Sequence, residues 1–138
     1  MYSYENYSKV INIEALTMLE MARQDIIPAV TMYIKLLCDE LSVKSSVCAS
    51  ASRTYEEKTI ELLSSCLDEI YCNINKLDEL VKAAHHIKSA KEKADFYHDS
   101  VLECMNEVRR IADTMEVHTA KEYWPFPSYG DLLFSIQE

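Results

Sequence analysis

Between Ile60 and Ala84 the apolar side chains fall at Ile60, Leu63, Leu67, Ile70, Ile74, Leu77, Val81 and Ala84, at intervals of three and four. Intervals averaging close to 3.6 put all of them on one face of an α-helix, and the period-two alternation of a half-buried strand is missing. A helix with an unbroken apolar stripe must bury that stripe against other elements, and here the rest of the chain supplies more helix. Thr54-x-x-Glu57 has capping-box spacing at the start of this stretch, and Asp78 with Lys82 is an acid-before-base pair four residues apart on the expected solvent face.

Two further stripes flank it. From about Ser8 to Leu41, residues Val10, Ile13, Leu16, Leu19, Ile26, Ile27, Val30, Ile34, Leu37 and Leu41 recur mostly at threes and fours. Pro28 lies inside this stripe, deleting one backbone hydrogen bond, so a kink near Arg23 to Ile27 or a pair of abutting helices is expected. Ser42 to Arg53 is rich in serine, whose hydroxyl competes for backbone hydrogen bonds, and reads as an exposed, mobile connection. Beyond His85-His86-Ile87-Lys88 the pattern falters, Ser89-x-x-Glu92 offers a second capping box, and Ala94, Tyr97, Val101, Cys104, Met105, Val108, Ile111, Ala112 and Met115 form the third stripe. One continuous helix from Thr54 to about Ala120 would be roughly 100 Å long with its apolar face uncovered, so the chain is expected to fold back at Ser89. The predicted fold is all-α: an antiparallel three-helix bundle, up-down-up, over residues 1–122, with helices at about 8–41, 54–88 and 90–121.

Composition excludes several classes of function. The chain has one glycine in 138 residues, so neither a dinucleotide fingerprint nor a Walker-type phosphate loop can be assembled. Its net charge of −9 disfavours nucleic acid and anionic membrane surfaces as partners. No apolar run approaches the roughly 20 residues of a membrane span and no signal segment is evident, so a soluble, cytoplasmic protein is expected. Cys38, Cys48, Cys66, Cys72 and Cys104 are odd in number and lack a Cys-x-x-Cys pair; they read as reduced, structural thiols, mostly at apolar helix positions.

The polar residues form no recognisable catalytic set. Carboxylate-bridged di-metal bundles need Glu-x-x-His from two helices, and Asp95-x-x-His98 approaches that pattern only once. His85-His86 sits where a helix end is expected and His118 stands alone. Cys104 and His98 are six residues apart and face different ways. Glu56-Glu57 and Asp78-Glu79 read as solvated carboxylates, and Arg109-Arg110 as partners of Glu107 or Glu103 or of the last helical carbonyls, with phosphate binding the less favoured alternative. The expectation is no catalytic, cofactor-binding or metal-ligating residue in this segment.

The last residues break the helical pattern. Trp124, Phe126, Tyr129, Leu132, Leu133 and Phe134 follow one another closely, with Pro125 and Pro127 at alternate positions and the lone Gly130 after Ser128-Tyr129. Alternating prolines favour extended backbone, and Gly130 suits a turn with positive φ. Residues 123–138 therefore read as an extended docking tail of the same domain, packing either on a groove of its own bundle or on another domain or subunit. Pro28, Pro125, Pro127 and Gly130 are the special backbone positions.

The stretch Glu14-Ala15-Leu16-Thr17-Met18-Leu19-Glu20-Met21-Ala22-Arg23, with Ile27-Pro28-Ala29-Val30 and the terminal Trp124-Pro125-Phe126-Pro127-Ser128-Tyr129-Gly130-Asp131-Leu132-Leu133-Phe134, resembles the helical C-terminal region of type III glutamine synthetases. That resemblance covers nearly the whole chain. It implies a parent ligase that makes L-glutamine from L-glutamate, ammonia and ATP through a γ-glutamyl phosphate, with ATP and magnesium or manganese held in a preceding catalytic domain. It implies as partners that catalytic domain and neighbouring subunits of a large double-ring homo-oligomer. None of the family's ligand motifs is in this sequence, so what carries over is an accessory, non-catalytic position in packing or domain closure. Met1 directly ahead of the resembling stretch suggests an excised domain. A free-standing helical protein–protein interaction module is the alternative.

Overall fold

The computed structural model describes residues 3–127. Tyr129, Gly130, Leu132, Leu133 and Phe134 lie outside that range. The described residues are helical with short connections and contain no strand. α1 (Tyr4–Met21) continues through a π-helical turn (Ala22–Ile26) into α2 (Ile27–Val47); α3 (Thr54–His85) follows; α4 (Ala90–Phe96) continues through a second π-helical turn (Tyr97–Val101) into α5 (Leu102–His118). The chain is thus three helical rods.

Pro28 explains the first π turn. Proline offers no amide hydrogen, so the Gln24 carbonyl loses its usual donor four residues on. The chain widens instead, and the Ile27 amide donates to the Ala22 carbonyl, five residues back. This wider turn has a consequence for packing. The buried apolar and aromatic residues of the first rod are Ile11, Ala15, Leu19, Ala22, Ile26, Val30, Tyr33, Leu37 and Leu41, spaced four, four and three in an 11-residue repeat. They return to the same face eight times between positions 11 and 41, a distance an α-helix covers in about 29 residues rather than 30. A π turn absorbs one extra residue, so the whole stripe stays aimed at the neighbouring rods.

That register corrects part of the sequence reading. Leu19, Ile26, Val30, Leu37 and Leu41 are buried as expected, but Val10, Ile13 and Leu16 are 43%, 55% and 48% exposed. They lie on the outer side of α1, while the smaller Ala15 and Ala22 and the amphipathic Tyr33 occupy the core. α3 buries Leu63, Cys66, Ile70, Ile74, Leu77, Val81 and Ala84, and the third rod buries Tyr97, Val101, Met105, Val108, Ile111 and Met115 against them.

The serine-rich stretch is the second correction. The first rod begins at Tyr4, with Ser3 Oγ accepting from the Asn6 amide at 3.1 Å, and it remains helical through Ser42, Ser45 and Ser46 to Val47. Only residues 48–53 connect it to α3. The last turn is held from outside: Lys44 Nζ reaches Glu56 Oε2 at 2.7 Å, and Arg53 Nη1 donates to Ser45 Oγ at 2.7 Å. Thr54 is the first helical residue of α3 rather than its cap. Arg53 occupies the cap position without a side-chain cap bond, and its Nε instead pairs with Glu57 Oε1 at 2.7 Å. Ser89 does cap the third rod, accepting from the Glu92 amide at 3.3 Å. α3 stops at His85 and α5 at His118, both short of the expected ends at 88 and 121.

Polar contacts pin the rods in register. Arg23 Nη2 lies 3.2 Å from Asp78 Oδ2, which also meets Lys82 at 3.3 Å, so Asp78 joins two rods rather than lying on a free face. Tyr97 donates to Asn12 Oδ1 at 3.3 Å, and Arg110 lies 3.4 Å from Glu69. Glu56 is 7% exposed, not the solvated carboxylate expected, and the Lys44 ammonium beside it holds its carboxyl below the usual range.

Two tests follow from this packing. Leu19→Ala is expected to cost about 2–5 kcal/mol in urea unfolding, and Leu16→Ala, three residues away, less than about 1 kcal/mol. Glu56 has a lower pKa folded than unfolded. Its ion pair with Lys44 therefore contributes fully above the unfolded carboxylate value of about 4.3 and is lost as pH falls through the folded value. Glu56→Gln should melt below the parent protein at pH 6, and the gap between the two should close as the solution is acidified.

Candidate docking surface

The third rod ends where Thr119 turns extended, at φ −108° and ψ 135°, with its hydroxyl buried. A tight turn follows: the Tyr123 amide donates to the Ala120 carbonyl at 2.9 Å, and the Trp124 amide to the carbonyls of Ala120 and Lys121 at 3.1 and 3.2 Å. This reversal returns the chain to its own helices. The Tyr123 and Tyr33 rings meet with centroids 5.4 Å apart, and Trp124 meets Phe126 edge-on at 6.3 Å. Such tilted and edge-to-face pairs match the charge distribution of aromatic rings. Tyr33 in turn hydrogen-bonds the Tyr55 hydroxyl at 3.4 Å, and burial, reinforced by Tyr55, pushes its phenol up to about 12.

Trp124 and Phe126 are half-buried against the core, and with Pro127 they line a groove of about 500 Å³ between α1 and α5. Its walls include Met18, Met21 and Met105. Methionine is flexible and polarizable, so a wall of this kind adapts to the shape placed against it. Ile13 lies on the outer lip, and Val10 and Leu16 continue its stripe along the exposed side of α1. Among the described residues, Tyr123, Trp124 and Phe126 pack against the core of their own chain. Pro125 and Pro127 are exposed there, and no described residue has positive φ. The expected turn at Gly130 and the docking residues Tyr129, Leu132, Leu133 and Phe134 fall beyond the described chain. Pro28 is exposed at the second position of α2.

The polar candidates are dispersed. His98 Nδ1 lies 2.9 Å from Asp99 while Asp95 pairs with Lys91 at 3.0 Å, so the Asp95-x-x-His98 pair does not converge. Among the described residues no three of His, Cys, Asp and Glu gather as a metal site would require. Arg110 forks onto Glu107 at 2.6 Å and Arg109 donates to Asn106 at 3.2 Å. Cys66 and Cys104 are buried and burial raises both thiols, whereas Cys38, Cys48 and Cys72 are exposed, contrary to the expected apolar positions. Cys38 follows buried Leu37 by one residue, enough to turn it outward, and Cys48 lies past the helix end. The Cys48 thiol is lowered by its contact with the Ser50 hydroxyl. No described helix is long and apolar enough to cross a membrane.

The fold and surface define an all-helical module whose most developed feature is an apolar groove lined in part by its own returning end. Comparison with known proteins then gives the family. The family model for the glutamine synthetase C-terminal domain matches residues 2–45. Over 133 residues, 96% of its length, the chain is 36% identical to a glutamine synthetase of Butyrivibrio fibrisolvens. It is 27% identical over 135 residues to a type-3 glutamine synthetase of Dictyostelium discoideum and 26% identical over 137 residues to a glutamine synthetase of Bacteroides fragilis. The chain belongs to the glutamine synthetase C-terminal domains. It spans 19% of the Butyrivibrio protein and 18% of the other two.

The single tryptophan makes the docked end measurable. Trp124→Ala combined with Phe126→Ala should destabilise the chain by about 2–4 kcal/mol, less than full burial of two rings would give. Acrylamide should quench Trp124 fluorescence only partially in the native chain and freely in urea.

Proposed function

We propose that this chain is an accessory, non-catalytic helical module of a type III glutamine synthetase. In this reading residues 1–122 form an antiparallel up-down-up bundle and residues 123–138 its docking tail. The pairing of Lys44 with Glu56, Arg23 with Asp78, Glu69 with Arg110 and Asn12 with Tyr97 supports that order, since the first and second rods run oppositely in those contacts and the first and third run together.

The observation that carries the role is the outward apolar stripe of Val10, Ile13 and Leu16 beside the methionine-walled groove. A stripe of this kind on an acidic chain is costly to leave in water, and larger apolar patches mark contact surfaces. The proposed occupant is the catalytic body of the same polypeptide, or a neighbouring subunit of a large homo-oligomer. The parent enzyme would make L-glutamine from L-glutamate, ammonia and ATP through γ-glutamyl phosphate, using magnesium or manganese bound outside this segment. Its setting would be the cytoplasm. The acidic balance does not suit nucleic acid or membrane as a partner.

Ile13→Asp with Leu16→Asp, placed in a full-length glutamine synthetase carrying this domain, should loosen the assembly in sedimentation velocity while the isolated chain keeps its helicity. Unchanged sedimentation would remove the docking role. Glutamine formation by the isolated chain from glutamate, ammonia and ATP would overturn the non-catalytic reading.

A further inference from the structure

At the end of the molecule away from the docked tryptophan, a cavity of about 300 Å³ opens between α1, the α3–α4 turn and α4. Lys9 reaches it from α1, Lys88 from the turn and Lys93 from α4, with His85 at the end of α3. The elements are brought together by the Ser89 cap that folds the chain back and by the Tyr97 to Asn12 hydrogen bond beneath them. Neither contact involves an ammonium group.

These lysines are unusual in this protein. Most of its cations sit against carboxylates: Lys35, Lys44, Lys58, Lys82, Lys91, Arg23, Arg53 and Arg110 all form ion pairs. Lys9, Lys76, Lys88, Lys93 and Arg109 form none among the described residues, and three of those five line this one cavity. Glu5 is the one carboxylate among the lining residues, so three ammonium charges against one carboxylate leave a formal +2 on a chain whose net charge is −9. Like charges held together without a counter-charge repel, and an anion placed among them gains from all three.

A second, independent observation lies in the wall of the same space. Ser8 lines the cavity, is 6% exposed, and its Oγ has no hydrogen-bond partner. A buried hydroxyl without a partner is costly, and a helical serine ordinarily returns its proton to the carbonyl four residues back. Beside it the Asn12 carbonyl oxygen is already taken by Tyr97. That leaves the Asn12 amide hydrogens to donate.

We propose that this cavity binds a small tetrahedral oxyanion, a phosphate or phosphate monoester, with Lys9, Lys88 and Lys93 supplying charge and the unpartnered Ser8 hydroxyl turning out of the wall to donate a hydrogen bond. A phosphate monoester carries about 1.5 to 2 negative charges at neutral pH, close to the local excess. Lysine binds phosphate as a compact point charge that can approach from several directions. The volume lies at the lower end for small-molecule sites. This site is separate from the docking groove and does not depend on the accessory role.

The test is calorimetric titration of the 138-residue chain at low ionic strength with inorganic phosphate and, separately, glycerol phosphate, followed by melting curves in each. Saturable one-to-one binding and a raised melting temperature are expected, with no comparable rise in sodium chloride of matched ionic strength. Lys9→Gln with Lys93→Gln should weaken binding by at least about tenfold, while Lys76→Gln, at the unpaired lysine elsewhere, should leave it unchanged. Ser8→Ala should weaken binding without lowering the melting temperature of the ligand-free chain, because the hydroxyl it removes has no partner there. Tighter binding of glycerol phosphate would identify a monoester as the ligand, and tighter binding of inorganic phosphate the free anion. No saturable binding of either, an equal rise in chloride, or equal weakening by Lys76→Gln would overturn the site.

Discussion

The arrangement of this chain depends on how the first rod keeps one face toward its neighbours over its whole length. Its buried residues recur in an 11-residue pattern, whereas the other two rods are spaced more like heptads. A regular α-helix would let the longer pattern wander around the rod, by about one residue's rotation between Ile11 and Leu41. The π turn at Ala22–Ile26 takes up that rotation, and the missing amide of Pro28 fixes where it falls. The proline is therefore a register device rather than a defect. With the register set, Arg23 faces Asp78, Tyr33 faces Tyr55 and Lys44 faces Glu56.

The same register decides which apolar residues are left outside. Sequence periodicity picked out most of the buried residues of α3 and of the third rod, although it also included Ile60, Leu67 and Ala112, which are half-buried. It located the disruption near Pro28 for the same physical reason that the structure shows. It chose the wrong face for the start of α1. Ile13 and Leu16 are larger than Ala15 and Ala22, which draw less attention although the buried line runs through them, and that line passes through Ile11 rather than its neighbour Val10. Close approach of two helices favours alanine at the contact, and hydrophobicity alone does not register that preference. The signal that was available is the 4-4-3 spacing continued through Ala15, Ala22 and Tyr33. Serine composition likewise misplaced the end of the first rod, because the ion pair and hydrogen bond that hold its last turn come from Arg53 and Glu56, beyond the helix itself.

Of the candidate surface, the aromatic end was legible and the groove was not. Trp124 and Phe126 stood out by residue type, and they do cover the core. The methionines opposite them come from two rods 84 or more positions apart in sequence, Met18 and Met21 on α1 and Met105 on α5. No local pattern joins such positions. The groove exists only because the first and third rods lie side by side and the chain reverses after Thr119. Its two kinds of wall differ in stiffness, since rings in edge contact resist deformation and methionines yield. The groove therefore combines a stiffer aromatic wall with one that can adjust to what meets it.

Charge is organised by the same geometry. An acidic chain can spread its carboxylates over the surface and use each lysine or arginine to fasten one rod, and here Arg23, Lys44 and Arg110 do so across rods. The exposed pairs among these add little stability singly, but each penalises a slipped register, because a shift of α3 by one residue would part all three at once. The lysines left without partners are then informative by their position. Were they leftovers of a solvated surface they would be scattered, as Lys76 is. Lys9, Lys88 and Lys93 instead come from three separate segments and converge where a buried serine hydroxyl is also unanswered. The fold brings those segments together through Ser89, Asn12 and Tyr97, none of them cationic, so the convergence of charge is an addition to the fold and not a requirement of it.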